Sequence, residues 1–402
     1  MSEISKKINV SNYDRDELLI ILSEPYPYQA YTAKYEISMY LSELDKNKDN
    51  YGIKCTFSKN DGSILTIKTG NAFPKGQKSI DALIDKLEIN LCNNSTFVKS
   101  EVVFSYLKIN GAYSSKGFFQ IIPPPENAPQ TNQFGLNKPL IIQFPVFSSP
   151  NILIRQLRNN NKFEEIYLLL TVFLNFNLER VDTSARSHWV AIFDEKNPQP
   201  NIKYYQSCYT IDGFKPEQEE YDNINNYNDL EKRDHNDYYG LSVDPDSFFT
   251  LPLNIDELFE KYYSLPLNLQ RNFKRSAYWY NHSRDTYSLS KSASYISLIN
   301  SIETLSSKRL FEKKCKTCGK TPDDGPTKQF INFIERFSPN MANKASELYR
   351  SRSELTHGQS LFESDSSSSM FSFTSNKAKE WLDYRETRIG VQIALINWLL
   401  SN

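Results

Sequence analysis

The stretch Tyr349-Arg350-Ser351-Arg352-Ser353-Glu354-Leu355-Thr356-His357-Gly358 decides how the C-terminal part of this chain is read. It closes a helix expected over 340–357, and Gly358 stops that helix. The last turns carry a guanidinium, a hydroxyl and an imidazole. Arginine is permanently charged, and histidine is the side chain that gives and takes a proton near neutral pH. Phosphodiester cleavage without a metal needs such a pair: a fixed cation for the charge that develops on phosphorus, and a proton shuttle for the attacking hydroxyl.

Working outward, the pattern stays helical. Ile255–Tyr263 reads as a short helix broken by Leu265-Pro266-Leu267, and Leu269–His282 follows. Leu289–Leu305 carries Tyr295, Leu298, Ile299, Ile302 and Leu305 near a 3.6-residue period. Thr327–Phe337 is a further helix, and Ala378–Leu400 places Trp381, Ile389, Ile393, Ile396 and Leu400 on one stripe. Four or five long helices predict an all-α bundle. A Ser-rich loop is expected over Glu363–Ser375.

With Arg352 and His357 enclosing four residues, a Tyr three before the Arg, and the His-Gly ending, the motif resembles the HEPN superfamily, and most closely its Apea-like branch. The Leu-Pro-Leu region, Trp279-Tyr280-Asn281, Ser301-Ile302-Glu303-Thr304-Leu305 and the Cys315-Lys-Thr-Cys318-Gly turn extend the resemblance over roughly residues 245–402. It does not extend to the first 240 residues. The resemblance implies a metal-independent endoribonuclease acting through Arg352 and His357. The ribose 2′-OH would attack its own 3′-phosphate, leaving a 2′,3′-cyclic phosphate and a 5′-OH, so that DNA is inert. It further implies an RNA substrate, a homodimer that pairs the motif helices, no cofactor for catalysis, and a toxin-like role in prokaryotic anti-phage defence. The other reading is a non-catalytic HEPN module that holds a nucleotide, RNA or a partner protein in the same groove.

On an ideal helix, residues five apart are separated by about 140°. Arg352 and His357 therefore converge only if the last turn unwinds or a second copy completes the site. Arg350, seven before His357, shares its face and is a candidate supporting phosphate contact, with Ser353 and Tyr349 alongside. Glu303 interrupts an apolar helix; it either holds Arg352 in register across the bundle or faces solvent. Asn281, His282 and Asp285 either line the same groove or serve as surface and capping residues. Arg and His near a helix end are common capping groups too; the helical context favours the site.

Cys315 and Cys318 have the knuckle spacing of a zinc ribbon, but they form only half a site, so zinc is not expected without further ligands. Lys313, Lys314 and Lys316 belong to the densest basic run, read either as an RNA-tracking rim or as a solvated loop.

The 402 residues suggest two domains, and the fold class expected is an α+β N-terminal domain followed by an all-α HEPN-like bundle. Residues 1–240 form the first, of sensor or regulatory role, ending in a polar connector over 211–240; residues 241–402 form the second. Strands are expected at Leu18–Leu22, Ile53–Phe57, Ile64–Thr69, Val102–Ile109, Phe118–Ile122, Leu140–Phe147, Trp189–Phe193 and Ile202–Tyr209. Helices are expected at Ala30–Leu44, Ser79–Leu91 and Ile152–Phe176. A net charge of −1 excludes a global basic field, so any RNA site is local. The start of the chain is not read as a signal peptide, and Ile166–Phe176 is too short to span a bilayer. Five cysteines without a scaffold pattern point to a cytoplasmic protein.

Overall fold

A computed structural model describes residues 4–10, 14–24, 28–33, 36–40, 52–58, 64–69, 76–91, 95–115, 117–128, 138–180, 187–194, 197–206, 211, 213–240, 247–306, 325–366 and 375–402. A sheet-rich N-terminal region is followed by a helical C-terminal region. The compact units do not divide at residue 240. One comprises residues 1–99, 145–162 and 217–220, and the other residues 100–144, 163–216 and 221–402.

The chain opens with β1 (Ile4–Asn9), α1 (Arg15–Ser23), β2 (Tyr28–Ala33), β3 (Glu36–Tyr40), β4 (Gly52–Phe57), β5 (Ile64–Thr69) and α2 (Gly76–Leu91), whose strands form an antiparallel sheet of order β1-β5-β4-β3-β2. Residues two apart share a sheet face. Ile37, Met39, Ile53, Cys55, Phe57, Leu65 and Ile67 accordingly point together into a core completed by Leu18, Ile21 and Leu22 of α1 and Ile80, Leu83 and Leu87 of α2. Burial pushes the Cys55 thiol up to about 12, so it behaves as a small apolar group.

Two local expectations are overturned here. The run Leu18–Leu22 is helical, because the Asp14 carboxylate accepts from the amides of Asp16 and Glu17 and caps a first turn rich in acid. Ala30–Leu44 is not a helix. Its described part forms β2 and β3; the pairing of β3 with β4 sets Met39 opposite Ile53, and Ile37 and Met39 are buried on alternate positions. Strand β1 was not anticipated: most of its side chains are exposed at the sheet edge, so it lacks the apolar alternation that marks a strand.

Next come β6 (Thr96–Ser105), β7 (Tyr113–Ser115), β8 (Phe119–Ile122), β9 (Lys138–Phe147), α3 (Ile152–Phe173) and β10 (Leu178–Arg180). Strands β11 (Ser187–Asp194) and β12 (Asn197–Gln206) make a two-stranded sheet of their own. The next sheet has the order β10-β6-β9-β8-β7, with β13 (Glu217–Gln218) paired to β6.

The polar stretch expected as a connector over 211–240 is built into the fold wherever it is described. It contains β13, β14 (Lys232–Arg233) and α4 (His235–Gly240), and β14 pairs in parallel with β15 (Leu251–Pro252). Asp222 accepts from the buried Gln143 amide at 2.6 Å, and Gln143 Oε1 accepts from the Asp222 amide at 3.2 Å. Leu230, Tyr238 and Tyr239 are buried. Hydrogen bonds replace aliphatic burial along this stretch, and composition does not register them. Ala112 donates to Asn228 O at 2.7 Å, and Leu230 donates to Ala112 O at 2.9 Å. A Cβ at Gly111 would lie 2.7 Å from Asn228 O, a backbone atom that cannot swing aside. Gly111→Ala is therefore expected to destabilise by about 1–3 kcal/mol, measured as a lowered midpoint in urea.

The C-terminal helices are α5 (Ile255–Ser264), α6 (Leu267–Thr286), α7 (Lys291–Leu305), α8 (Pro326–Phe337), α9 (Ala345–Thr356), α10 (Glu363–Ser366) and α11 (Ser375–Leu400). Phe273, Ala277 and Tyr280 of α6 and Leu298, Ile299 and Ile302 of α7 are fully buried, as are Phe330 and Ile334 of α8. Ser294, Ser297 and Ser301 are buried on α7 as well; such small side chains permit close helix contact. Ser297 and Ser301 donate locally, to Ala293 O and Leu298 O, whereas Ser294 Oγ crosses to Ser283 O of α6 and Ser276 Oγ crosses to Ser301 O at 2.7 Å. The helix expected over 340–357 begins instead with a 3₁₀ turn, Pro339–Lys344. The Ser-rich loop contains α10, and its remainder, 367–374, lies outside the described residues.

On α11 the buried face includes Val391, Ala394, Leu395, Ile396, Trp398 and Leu399; of the expected stripe Ile396 is fully buried, Ile389, Ile393 and Leu400 are half-buried, and Trp381 is 47% exposed. No helix among the described residues is long and apolar enough to cross a membrane.

Candidate functional site

The motif helix α9 packs against α7, and its end is built by backbone geometry. Gly358 has a φ of 69°, the left-handed conformation in which a Cβ would be strained. Its amide donates to Leu355 O at 3.2 Å, and the Gln359 amide donates to Glu354 O at 2.9 Å. This pair of bonds is the Schellman arrangement and satisfies carbonyls that the helix leaves open. His357 sits at the cap itself, its amide on Ser353 O at 3.0 Å. Its imidazole is exposed and takes no hydrogen bond among the described residues.

Arg352 faces the other way. Its Nη2 donates to Glu303 Oε2 at 2.7 Å and to Asn300 Oδ1 at 3.3 Å, with both charged side chains about one-quarter exposed. Glu303 thus reaches across from α7 rather than facing solvent, and Asn300, one turn earlier on the same helix, shares the guanidinium. The Arg352 Cζ also lies 5.9 Å from the centre of the Tyr349 ring. Tyr349 in turn sits 5.3 Å from the Phe330 ring. Burial raises the Tyr349 phenol above its usual range, helped by the Glu303 carboxylate and opposed by Arg352. Among the described residues the buried Arg352 Nε has no hydrogen-bond partner, so part of the guanidinium fork is uncommitted there.

Within one chain, then, Arg352 and His357 are not brought together: among the described residues no hydrogen bond or ion pair joins them. The helical angle between them persists, because the left-handed turn comes after His357 rather than between the two. Arg350 is largely exposed and lies 3.8 Å from Glu354, a surface i,i+4 pair of small energetic weight. The half-buried Ser353 contributes its carbonyl to the cap. Asn281, His282 and Asp285 line a separate cavity of about 640 Å³ with Glu164, Arg180 and Arg284. Lys313, Lys314, Lys316, Cys315 and Cys318 lie outside the described residues.

The sequence did not disclose Asn300 or Asp365. Asn300 precedes Glu303 by three, a helical spacing that would have flagged it. Asp365 comes from the Ser-rich stretch and gave no such signal. Its carboxylate accepts from Ser290 Oγ at 2.8 Å and from the amides of Lys291 and Ser292 at 2.7 Å each, so it caps the start of α7. Glu380 of α11 accepts from the Glu363 and Ser364 amides and holds α10 from the other side. The segment leaving His357 is thereby tied down where it reaches α10.

Burial opposes ionisation of Asp365, but the bonds from Ser292, Lys291 and Ser290 outweigh it and hold the carboxyl below its ordinary 3.8. A carboxyl depressed in the folded state stabilises above its unfolded value and loses that contribution as pH falls through the folded one. Asp365→Ala is expected to cost about 1 kcal/mol at neutral pH, as removing a cap does, and no difference from the parent should remain once the pH is well below 3.8. Urea melts across that range provide the measurement.

Compared with protein-family models, curated proteins and solved structures, the chain matches none.

Proposed function

We propose that this chain is a cytoplasmic, metal-independent endoribonuclease of the HEPN type, working as a homodimer, with Arg352 and His357 as its catalytic pair. The observation that carries this reading is the opposed placement of the two groups. Among the described residues, Arg352 is held by Glu303 and Asn300 with donor capacity left over, while His357 stands exposed on the helix cap and takes no hydrogen bond. A groove between two such helices would receive the imidazole of one copy beside the guanidinium of the other. There the imidazole accepts the 2′-OH proton, and the guanidinium stabilises the charge that builds on the phosphate. An RNase that needs no cofactor is restrained by assembly or conformation, which gives the sheet-rich region a regulatory place and suits a toxin of prokaryotic anti-phage defence.

The test is cleavage of an RNA in EDTA, beside the same strand with a single 2′-deoxy substitution at the cut. Products ending in 2′,3′-cyclic phosphate, and no cut at the deoxy position, support the reading. Cleavage that persists at the deoxy position discards it.

One observation favours the second reading, a non-catalytic module. Glu303 already neutralises Arg352 at 2.7 Å, as a purely structural arginine would require. RNA binding without cleavage in the same assay would select it.

A further inference from the structure

Between α6, α11 and the end of α3 lies a cavity of about 320 Å³, lined by Arg284, Arg385 and Arg388 together with Tyr106, Tyr287, Tyr384 and Trp381. It uses neither Arg352 nor His357. Arg284 donates through Nη1 to Thr171 O at 2.9 Å, which satisfies a carbonyl near the C-terminus of α3. Its Nε and Nη2 are buried and have no hydrogen-bond partner among the described residues. Burying a charged donor unpaired is costly, and two such donors on one guanidinium call for an acceptor. No carboxylate reaches them: among the described residues none of Arg284, Arg385 and Arg388 makes an ion pair, and although Glu164 and Asp285 line the neighbouring cavity with Arg284, no acidic residue lines this one. Desolvation pushes the Arg284 guanidinium down from its usual value, with Arg388 adding to the effect and Tyr280, Tyr167 and Tyr384 opposing it.

The walls have a second character. Tyr287 and Tyr384 stack with ring centres 4.3 Å apart. Trp381, a large apolar side chain standing nearly half exposed, lies 5.6 Å under the Arg385 guanidinium. An indole braced by a cation at the mouth of an arginine-lined cavity presents a flat face to a ring. The volume lies within the range of small-ligand pockets.

We infer that this cavity binds a small organic phosphate carrying a flat aromatic ring, of the class of mononucleotides, with Arg388 and Arg385 on the phosphate and Trp381 against the ring. The site stands on α6 and α11, so it is independent of the nuclease reading. Arg284 offers the same phosphate its Nε and Nη2 from beneath.

Titration of the full chain with AMP, adenosine, ribose 5-phosphate and inorganic phosphate, followed by tryptophan fluorescence and calorimetry, tests the assignment. AMP is expected to bind and to quench, and adenosine to bind far more weakly. Arg388→Gln and Arg385→Gln should each weaken AMP by about tenfold, the worth of one charge-assisted bond. Trp381→Leu should weaken AMP by about fivefold or more and abolish the quench, while leaving ribose 5-phosphate unchanged. Circular dichroism confirms that each variant is folded. No AMP binding at millimolar concentration, equal affinity for inorganic phosphate and AMP, or undiminished AMP affinity in both folded arginine variants would each overturn the proposal. A short single-stranded RNA that binds where AMP does not would overturn it as well, in favour of a strand-binding groove.

Discussion

Replacing Arg352 or His357 with Ala is expected to lower RNA cleavage in EDTA by about 10²–10⁴-fold, with KM changing far less than kcat. The size follows from what each group would do: a positioned proton shuttle contributes about 10²–10⁴, and a donor aimed at developing charge about 10²–10³. Comparing Arg352→Ala with Glu303→Gln separates the two functional readings. If Arg352 contacts the phosphate, the variant keeps a hydrogen-bonding partner for the guanidinium while removing the neutralising charge, so cleavage survives. If the pair is only structural, Arg352→Ala and Glu303→Gln will both lower stability and leave any RNA cleavage unchanged. Mixing the Arg352→Ala and His357→Ala chains adds a further arm. A composite site between two copies regains part of its activity in the mixed dimer, whereas two inactive single-chain sites stay silent. Equal cleavage by the parent and both alanine variants would remove the catalytic assignment.

Arg158→Ala is expected to be the most damaging single change to the first compact unit, at about 3–5 kcal/mol. Arg158 on α3 meets Glu17 on α1 through two parallel bonds, Nε to Oε1 at 2.8 Å and Nη2 to Oε2 at 2.7 Å, with each side chain only 10% exposed. Its Nη1 also donates to Ser148 O at 2.9 Å. Truncation leaves the Glu17 carboxylate buried beside Leu18 and Ile21 with no cation, and that uncompensated charge accounts for most of the cost. Arg158→Ala combined with Glu17→Leu should recover much of the loss, because removing both charges also removes the desolvation penalty. Urea denaturation of the single and double variants measures both effects, and an additive double variant would show that the pair does not couple.

How much was legible can be judged residue by residue. Leu298, Ile299 and Ile302 announced the buried face of α7 through their spacing, and Gly358 announced the end of α9, since both follow from local periodicity and backbone freedom. Leu18–Leu22 misled because a short apolar run suits a strand or a buried helix equally. The deciding term was the Asp14 cap, a hydrogen bond rather than a pattern. Trp381 misled in another way: its place on the periodic stripe suggested burial, but it stands at a cavity mouth beside Arg385.

By itself the amino-acid order determined a helical C-terminal region, a helix that stops at Gly358, and an arginine and a histidine held five positions apart on it. Those features depend on neighbours in sequence, whose energies act within one or two turns. Only the tertiary structure decided that Glu303 and Asn300 claim Arg352, that Asp365 closes the start of α7, and that three arginines share one cavity. Each of these joins residues far apart along the chain, and such pairings are selected by burial and charge complementarity once the helices pack.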